Sequence, residues 1–424
     1  MTAGSLPTRR SFLGASLLFV AGAAVGCSSN PQEAASAKGA KVTLTQWYHQ
    51  YGEEGTQAAV KRYAAAFTKA HPDIAINIVW GPDTSQYETK LNAALLGDDA
   101  PDVFELGDFR AEMARKGQLA PLDDLYSSAK DSFNPADIDY LTVDGKLYGM
   151  KTIDDVMMLY YRKSMLDKAG QEPPQTFDEL VDTARKLTSG DTKGLFIGND
   201  GIGDAPYLLA WSAGGELVMD DKVVYAAADA ARAVGGLRQL HTDKSVLLGF
   251  TTDWYDAGAF TQGATAMQWC GLWALPTIEK QLGDDFGVVP WPAYGTSGKP
   301  VARLGGWTQA VNAKSKHMGE AKTYLKWLWI QQSDIQIDWA VKYGFHVPPQ
   351  MKVAARTPEL SKGAAKTAVE ISTKYGRSFP TTWTQAMQAG FIGAAADIAK
   401  GADAEKALKK AQSQAQSDLD KQLG

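Results

Sequence analysis

The chain has 424 residues, 45% hydrophobic, 10% aromatic and 21% charged, which excludes a disordered or fibrous protein. Its 43 basic and 48 acidic residues give a net charge of −5 with no basic block, the wrong balance for a nucleic-acid binder that neutralises phosphates. Two cysteines, Cys27 and Cys270, are too few for a disulfide scaffold or a thiolate zinc cluster, and this length suits two domains.

Arg9-Arg10-Ser11-Phe12-Leu13 opens onto the apolar run Phe12 to Val25. That run is shorter than the ~20 residues a spanning helix needs, and twin arginines ahead of it read as a twin-arginine export signal. It ends Ala24-Val25-Gly26-Cys27, which resembles a lipobox with Ala24 where Leu is usual, so residues 1–26 read as a signal peptide and Cys27 as the lipidated residue. The alternative is an ordinary signal peptide with an incidental cysteine. Residues 27–40 are rich in Ser and Ala without apolar periodicity and read as a flexible tether. Cys270, within Met267-Gln268-Trp269-Cys270, reads as buried apolar filler.

The body alternates strands and helices. Lys41 to Tyr48 is β-branched and alternating, a strand. Glu53 to Ala70 places Val60, Tyr63, Ala64 and Phe67 on one helical face, and His71-Pro72-Asp73 stops it. Strand Ile74 to Trp80, a helix around Tyr87 to Leu96 and strand Asp102 to Leu106 complete a parallel α/β pattern. Thr176-Phe177-Asp178-Glu179 is a capping box that starts another helix. Helices dominate from Gly319, and Ala404 to Leu423 is the last, amphipathic one.

Several local signatures then occur in a fixed order. Ala100-Pro101-Asp102-Val103 precedes Gly117-Gln118-Leu119-Ala120-Pro121-Leu122, Gly145-Lys146-Leu147-Tyr148-Gly149 and Leu159-Tyr160-Tyr161-Arg162-Lys163. Ala213-Gly214-Gly215-Glu216-Leu217, Phe260-Thr261-Gln262-Gly263-Ala264-Thr265-Ala266-Met267 and Gly271-Leu272-Trp273 follow. From about Val42 to the last helix this order resembles the extracellular solute-binding proteins of sugar ABC importers, the class of maltose-binding protein. The resemblance implies an α/β, two-lobed periplasmic-binding-protein-like fold. Each lobe would be a mainly parallel sheet covered by helices, hinged at crossing strands near Thr152 to Val156 and Leu304 to Ala310. It divides the body into lobe 1 (41–152 and 306–345) and lobe 2 (153–305 and 346–424), with a ligand cleft between.

A sugar presents an apolar C–H face to aromatic rings and a rim of hydroxyls to carboxylates and amides. Trp273, after a strand and Gly271, matches the family's stacking tryptophan, and Asp108, Asp155, Asp204 and Tyr207 match cleft positions. Trp47 and His49 lie at the carboxyl end of the first strand, where α/β sheets place ligands, with Glu54 in the loop beyond. For His49 a satisfied loop histidine, for Glu54 helix capping and for Asp108 an N-cap are the alternatives. Gly306 suits a hinge, whereas Trp307 and Trp383 are further stacking candidates. The resemblance further implies no enzyme activity, no cofactor, no metal, and a monomer on the outer face of the bacterial cell membrane, anchored by its N-terminal lipid. It implies delivery of a carbohydrate, an oligosaccharide by the number of tryptophans, to ABC permease subunits. Rival readings are a non-sugar solute, a sensor role or a secreted glycosidase. Against catalysis, no nucleophile elbow, zinc motif or Walker loop occurs, and His49, His71, His241, His317 and His346 are scattered.

Overall fold

The computed structural model describes residues 39–51, 54–81, 84–97 and 99–423. The export signal, Cys27 and most of the tether therefore lie outside the described residues.

Nine strands form the main sheet among the described residues: β1 (Val42–Tyr48), β2 (Ile74–Trp80), β3 (Val103–Leu106), β4 (Met150–Tyr161), β5 (Lys193–Phe196), β6 (Thr265–Gly271), β7 (Gly287–Val289), β8 (Ala302–Val311) and β9 (Gly376–Arg377). Their order is β2-β1-β3-β8-β4-β6-β5, with β7 added to β4 and β9 to β8. The two ends are parallel, β1 with β2 and β3, and β5 with β6. The centre is antiparallel, because β8 pairs with both β3 and β4, and β4 with β6. The parallel pattern expected from the sequence thus belongs to the flanks, and two long strands join them.

Local sequence accounts for the flanks. In β1 the alternation buries Leu44, Gln46 and Tyr48. Helix Thr56–Ala70 buries Val60, Tyr63, Ala64 and Phe67 as its periodicity requires, but starts at Thr56, later than Glu53, because Gly55 ahead of it is left-handed at φ 89°. Helix Phe177–Leu187 carries the full capping box: the Glu179 amide donates to Thr176 Oγ1 at 3.2 Å, and the Thr176 amide donates to Glu179 Oε2 at 3.2 Å. Cys270 is buried in β6, as filler should be.

Among the described residues the buried apolar side chains form three cores. One gathers Leu44, Phe67, Phe104, Ile153, Ala310 and Trp339. A second gathers Leu159, Leu180, Leu208, Trp269, Phe391 and Leu419, and a third Val156, Tyr160, Phe260, Leu272 and Ile371. β4 therefore threads all three, contributing Ile153, then Val156, then Leu159. At its centre it meets β8 with Leu304 opposite Val156, Gly305 opposite Asp155 and Gly306 opposite Asp154, and the register slips between Trp307 and Thr308.

Gly306 has φ +114°, and a Cβ there would lie 2.1 Å from the Ile153 carbonyl oxygen. At Gly305 the nearest obstacle is the far end of the Met157 side chain, at 2.7 Å. Gly306→Ala is accordingly expected to cost about 2 kcal/mol or more, and Gly305→Ala under about 1 kcal/mol. Denaturant unfolding of the two variants checks this, and equal losses would refute the close-approach account.

Candidate ligand cleft

Strand pairing dictates where side chains meet. Thr308 pairs with Leu106, so the carboxyl end of β3 arrives beside Trp307. Gly271 and Arg303 both pair with Met157, so the carboxyl end of β6 arrives beside Arg303. The carboxyl ends of the parallel strands on both flanks thus converge on the short central stretch of β4 and β8, the place where α/β sheets carry ligands.

On the β3 side, His49 stacks flat on Trp307, with ring centroids 3.5 Å apart at 9°. Its Nδ1 lies 2.8 Å from Glu105 Oε2, and the Tyr51 hydroxyl donates to Glu105 Oε1 at 2.8 Å. The His49 amide also donates to Glu105 Oε2, at 3.2 Å, so this buried carboxylate orients the whole aromatic corner.

At the centre stands Arg303. Its Nη1 donates to both carboxylate oxygens of Asp204 at 3.1 Å, and its Nη2 reaches Asp108 Oδ1 at 3.4 Å. The guanidinium lies over Phe379, 4.6 Å from the ring centroid, and Trp269 Nε1 donates to Asp204 Oδ2 at 3.2 Å. Burial alone would favour the neutral form of Arg303, but Asp204 and Asp108 outweigh it and hold the charge more firmly than usual. Nearby, burial raises the Glu88 carboxyl above its ordinary range and Asp108 adds to this, against the opposing pull of Arg110 and Arg303.

On the β6 side, the Trp273 ring folds back over Gly271, where a Cβ would come within 2.0 Å of it. Trp273 Nε1 donates to the Tyr255 carbonyl at 2.8 Å, and Trp254 meets the Trp273 ring edge-on at 5.9 Å. Tyr255 itself is 54% exposed.

Beneath the crossing, Lys151 Nζ donates to the Gly305 carbonyl at 3.0 Å and pairs with Asp154 at 3.3 Å. Burial first, then the neighbouring Asp137, raises the Asp154 carboxyl well above its usual range, against the opposing pull of Lys151.

The expected residues therefore divide. His49 meets Trp307, and Asp108 meets Asp204 through Arg303. Trp273 sits half-buried at the rim, and Gly306 is a backbone feature of β8. Trp47 is half-buried with Lys90 Nζ 4.9 Å above its ring, and Glu54 is exposed in the turn before Thr56. Asp155 is buried with Oδ1 2.6 Å from His346 Nδ1, so this acid is engaged by a histidine. Two expected residues are buried. Tyr207, expected to face the cleft, is 1% exposed and Trp383, expected to stack, is 3% exposed, and both pack with Phe391 inside the second core in this structure. The cause is that helix Ala205–Ser212 is buried on every side and Trp383 lies just before the N-cap Thr384.

The sequence reading passed over Arg303, Glu105 and the Trp254-Tyr255 pair. A detectable signal existed for Glu105, a lone acid inside the apolar strand Val103-Phe104-Glu105-Leu106. Among the described residues no group of three His, Cys, Asp or Glu could hold a metal, and no helix is long and apolar enough to cross a membrane.

Residues 51–328, more than half of the chain, match the model of the family described as bacterial extracellular solute-binding protein. A probable ABC transporter-binding protein of Deinococcus radiodurans is 32% identical over 46% of this chain, and the match spans 50% of that protein. The arabinooligosaccharide-binding protein of Bacillus subtilis is 25% identical over 71% of each chain. In solved structures, the GacH receptor of Streptomyces glaucescens superposes with a TM-score of 0.76 at 24% identity, covering 90% of this chain and 99% of that one. This chain belongs to the bacterial extracellular solute-binding proteins, which have the two-lobed periplasmic-binding-protein fold, work outside the cytoplasm and are not enzymes.

Proposed function

We propose that the protein captures a carbohydrate, an oligosaccharide, in the cleft between its lobes and delivers it to an ABC import permease. The observation that carries this reading is the pairing of aromatic corners with a charge-balanced polar centre. Trp307 is braced by His49 and Trp273 by Trp254, which suits the C–H faces of sugar rings. Between them Arg303 is matched by Asp108 and Asp204, and Glu88 faces Arg110, so the walls favour a neutral, hydroxyl-rich solute over an ion. The name of the Bacillus arabinooligosaccharide-binding relative supports the same class.

The lobes in this reading are 41–152 with 306–345, and 153–305 with 346–424. The separate cores support the division, since the first stops at Ile153 and resumes at Ala310, while Val156 to Ala302 and Ala365 to Leu419 supply the other two. Each lobe could then move as a unit about the central strands, with the ligand stabilising closure by bonding to both. Asp108 and Asp204 would accept hydroxyls, and their existing bonds to Arg303 keep them oriented for it. Residues 1–26 would direct twin-arginine export, and a lipid on Cys27 would hold a monomer at the membrane.

Tryptophan fluorescence titrated with mono- and oligosaccharides, and the sugars recovered afterwards, tests the reading. Saturable binding of intact oligosaccharide is expected, whereas silence across the panel would shift the reading to a non-sugar solute. Trp273→Ala should weaken binding at least tenfold, and unchanged affinity would remove Trp273 from the site. Cys27→Ala should release the protein to the medium, as fractionation of producing cells would show. Unchanged membrane retention would overturn the lipid anchor.

A further inference from the structure

Arg303 belongs by packing to the second lobe, because it is bidentate on Asp204 and stacks on Phe379, whose ring lies in the second core. Asp108 belongs to the first, between β3 and helix Ala111–Arg115, whose Ala111, Met113 and Ala114 pack in the first core. Their contact therefore runs from lobe to lobe. It is not alone: the Ala111 amide donates to the Thr381 carbonyl at 2.9 Å, and Thr381 lies just beyond Phe379. Ala111 is the first residue of its helix, so its N–H has no partner within the helix and Thr381 supplies it. Glu88 and Arg110 flank the same contact from the first lobe.

We propose that Arg303, supported by the Phe379–Thr381 segment, is a latch that joins the two lobes and sets how readily they open. The two arms of the latch differ. The arm to Asp204 is bidentate at 3.1 Å and stays within one lobe, while the single Nη2 contact to Asp108 at 3.4 Å is the arm that opening breaks. Arg303 is thus a positioning residue: it places Asp108 and Asp204 on facing walls and links their separation to the state of the cleft. The inference rests on the lobe division proposed above and not on the chemistry of the ligand.

Hydrogen exchange of the Ala111 amide in the ligand-free, full-length protein reads the latch directly, since its protection depends on Thr381 across the lobes. Asp108→Asn leaves the Arg303–Asp204 pair in place and weakens only the interlobe arm. Arg303→Met removes both. Exchange at Ala111 should accelerate at least tenfold in each variant, while helices Thr56–Ala70 and Phe177–Leu187 keep their protection. Arg303→Lys should fall short of full rescue, because an ammonium lacks the fork that serves two carboxylates at once. If Arg303→Met also deprotects those helices, Asp108→Asn alone decides. Unchanged exchange at Ala111 in Asp108→Asn would overturn the latch and leave the carbohydrate reading untouched.

Discussion

The antiparallel pairing of β4 with β8 is the constraint on which the rest of the molecule depends. Two strands must leave one core, pass close to each other and enter another. Gly306 permits the approach, lying against the Ile153 carbonyl where no side chain would fit. Side chains then fasten the crossing: Thr152 Oγ1 donates to the Trp307 carbonyl at 2.9 Å, and buried Lys151 donates to that of Gly305. Burying an ammonium is costly unless it is paired, and Asp154 and Asp137 supply the pairing.

The chemistry of the site follows from that geometry. Parallel strands on each flank aim their carboxyl ends, with the loops that follow, at the crossing, so polar and aromatic groups from distant parts of the chain collect there. Nearly every one is braced by a neighbour: Glu105 by His49 and Tyr51, Asp204 by Arg303 and Trp269, Trp273 by the Tyr255 carbonyl. Preorganisation of this kind lowers the ordering cost when a solute binds. In the carbohydrate reading proposed above it would also give selectivity, because a closed cleft with buried acceptors penalises a ligand lacking the matching hydroxyl.

Separate cores make lobe motion physically cheap relative to unfolding, since the packing inside each core survives a change at the hinge. Among the contacts that resist motion are Arg303 with Asp108 and Ala111 with Thr381, together with the bonds of Gln350 to Trp329 and Gln336. A solute-binding protein needs such contacts to be weak, so that the cleft can open to admit and release its ligand.

Local order was legible in the sequence wherever periodicity or a cap decides it. Helix Thr56–Ala70, strand β2, the capping box at Thr176 and the final helix Ala404–Leu423 all follow from residues within a few positions of one another. The resemblance of ordered motifs carried the fold and the general position of the cleft. Only the tertiary structure decided which expected residues have a free face. Tyr207 and Trp383 carry the right chemistry for a sugar, yet Tyr207 lies on a helix buried on all sides and Trp383 packs against it in the core. Asp155 and Asp154 are neighbours, but strand alternation sends one to His346 and the other to Lys151. Arg303 bonds to residues far from it in the chain, and no local pattern records that meeting, because it is created by strand register and by nothing nearer in sequence.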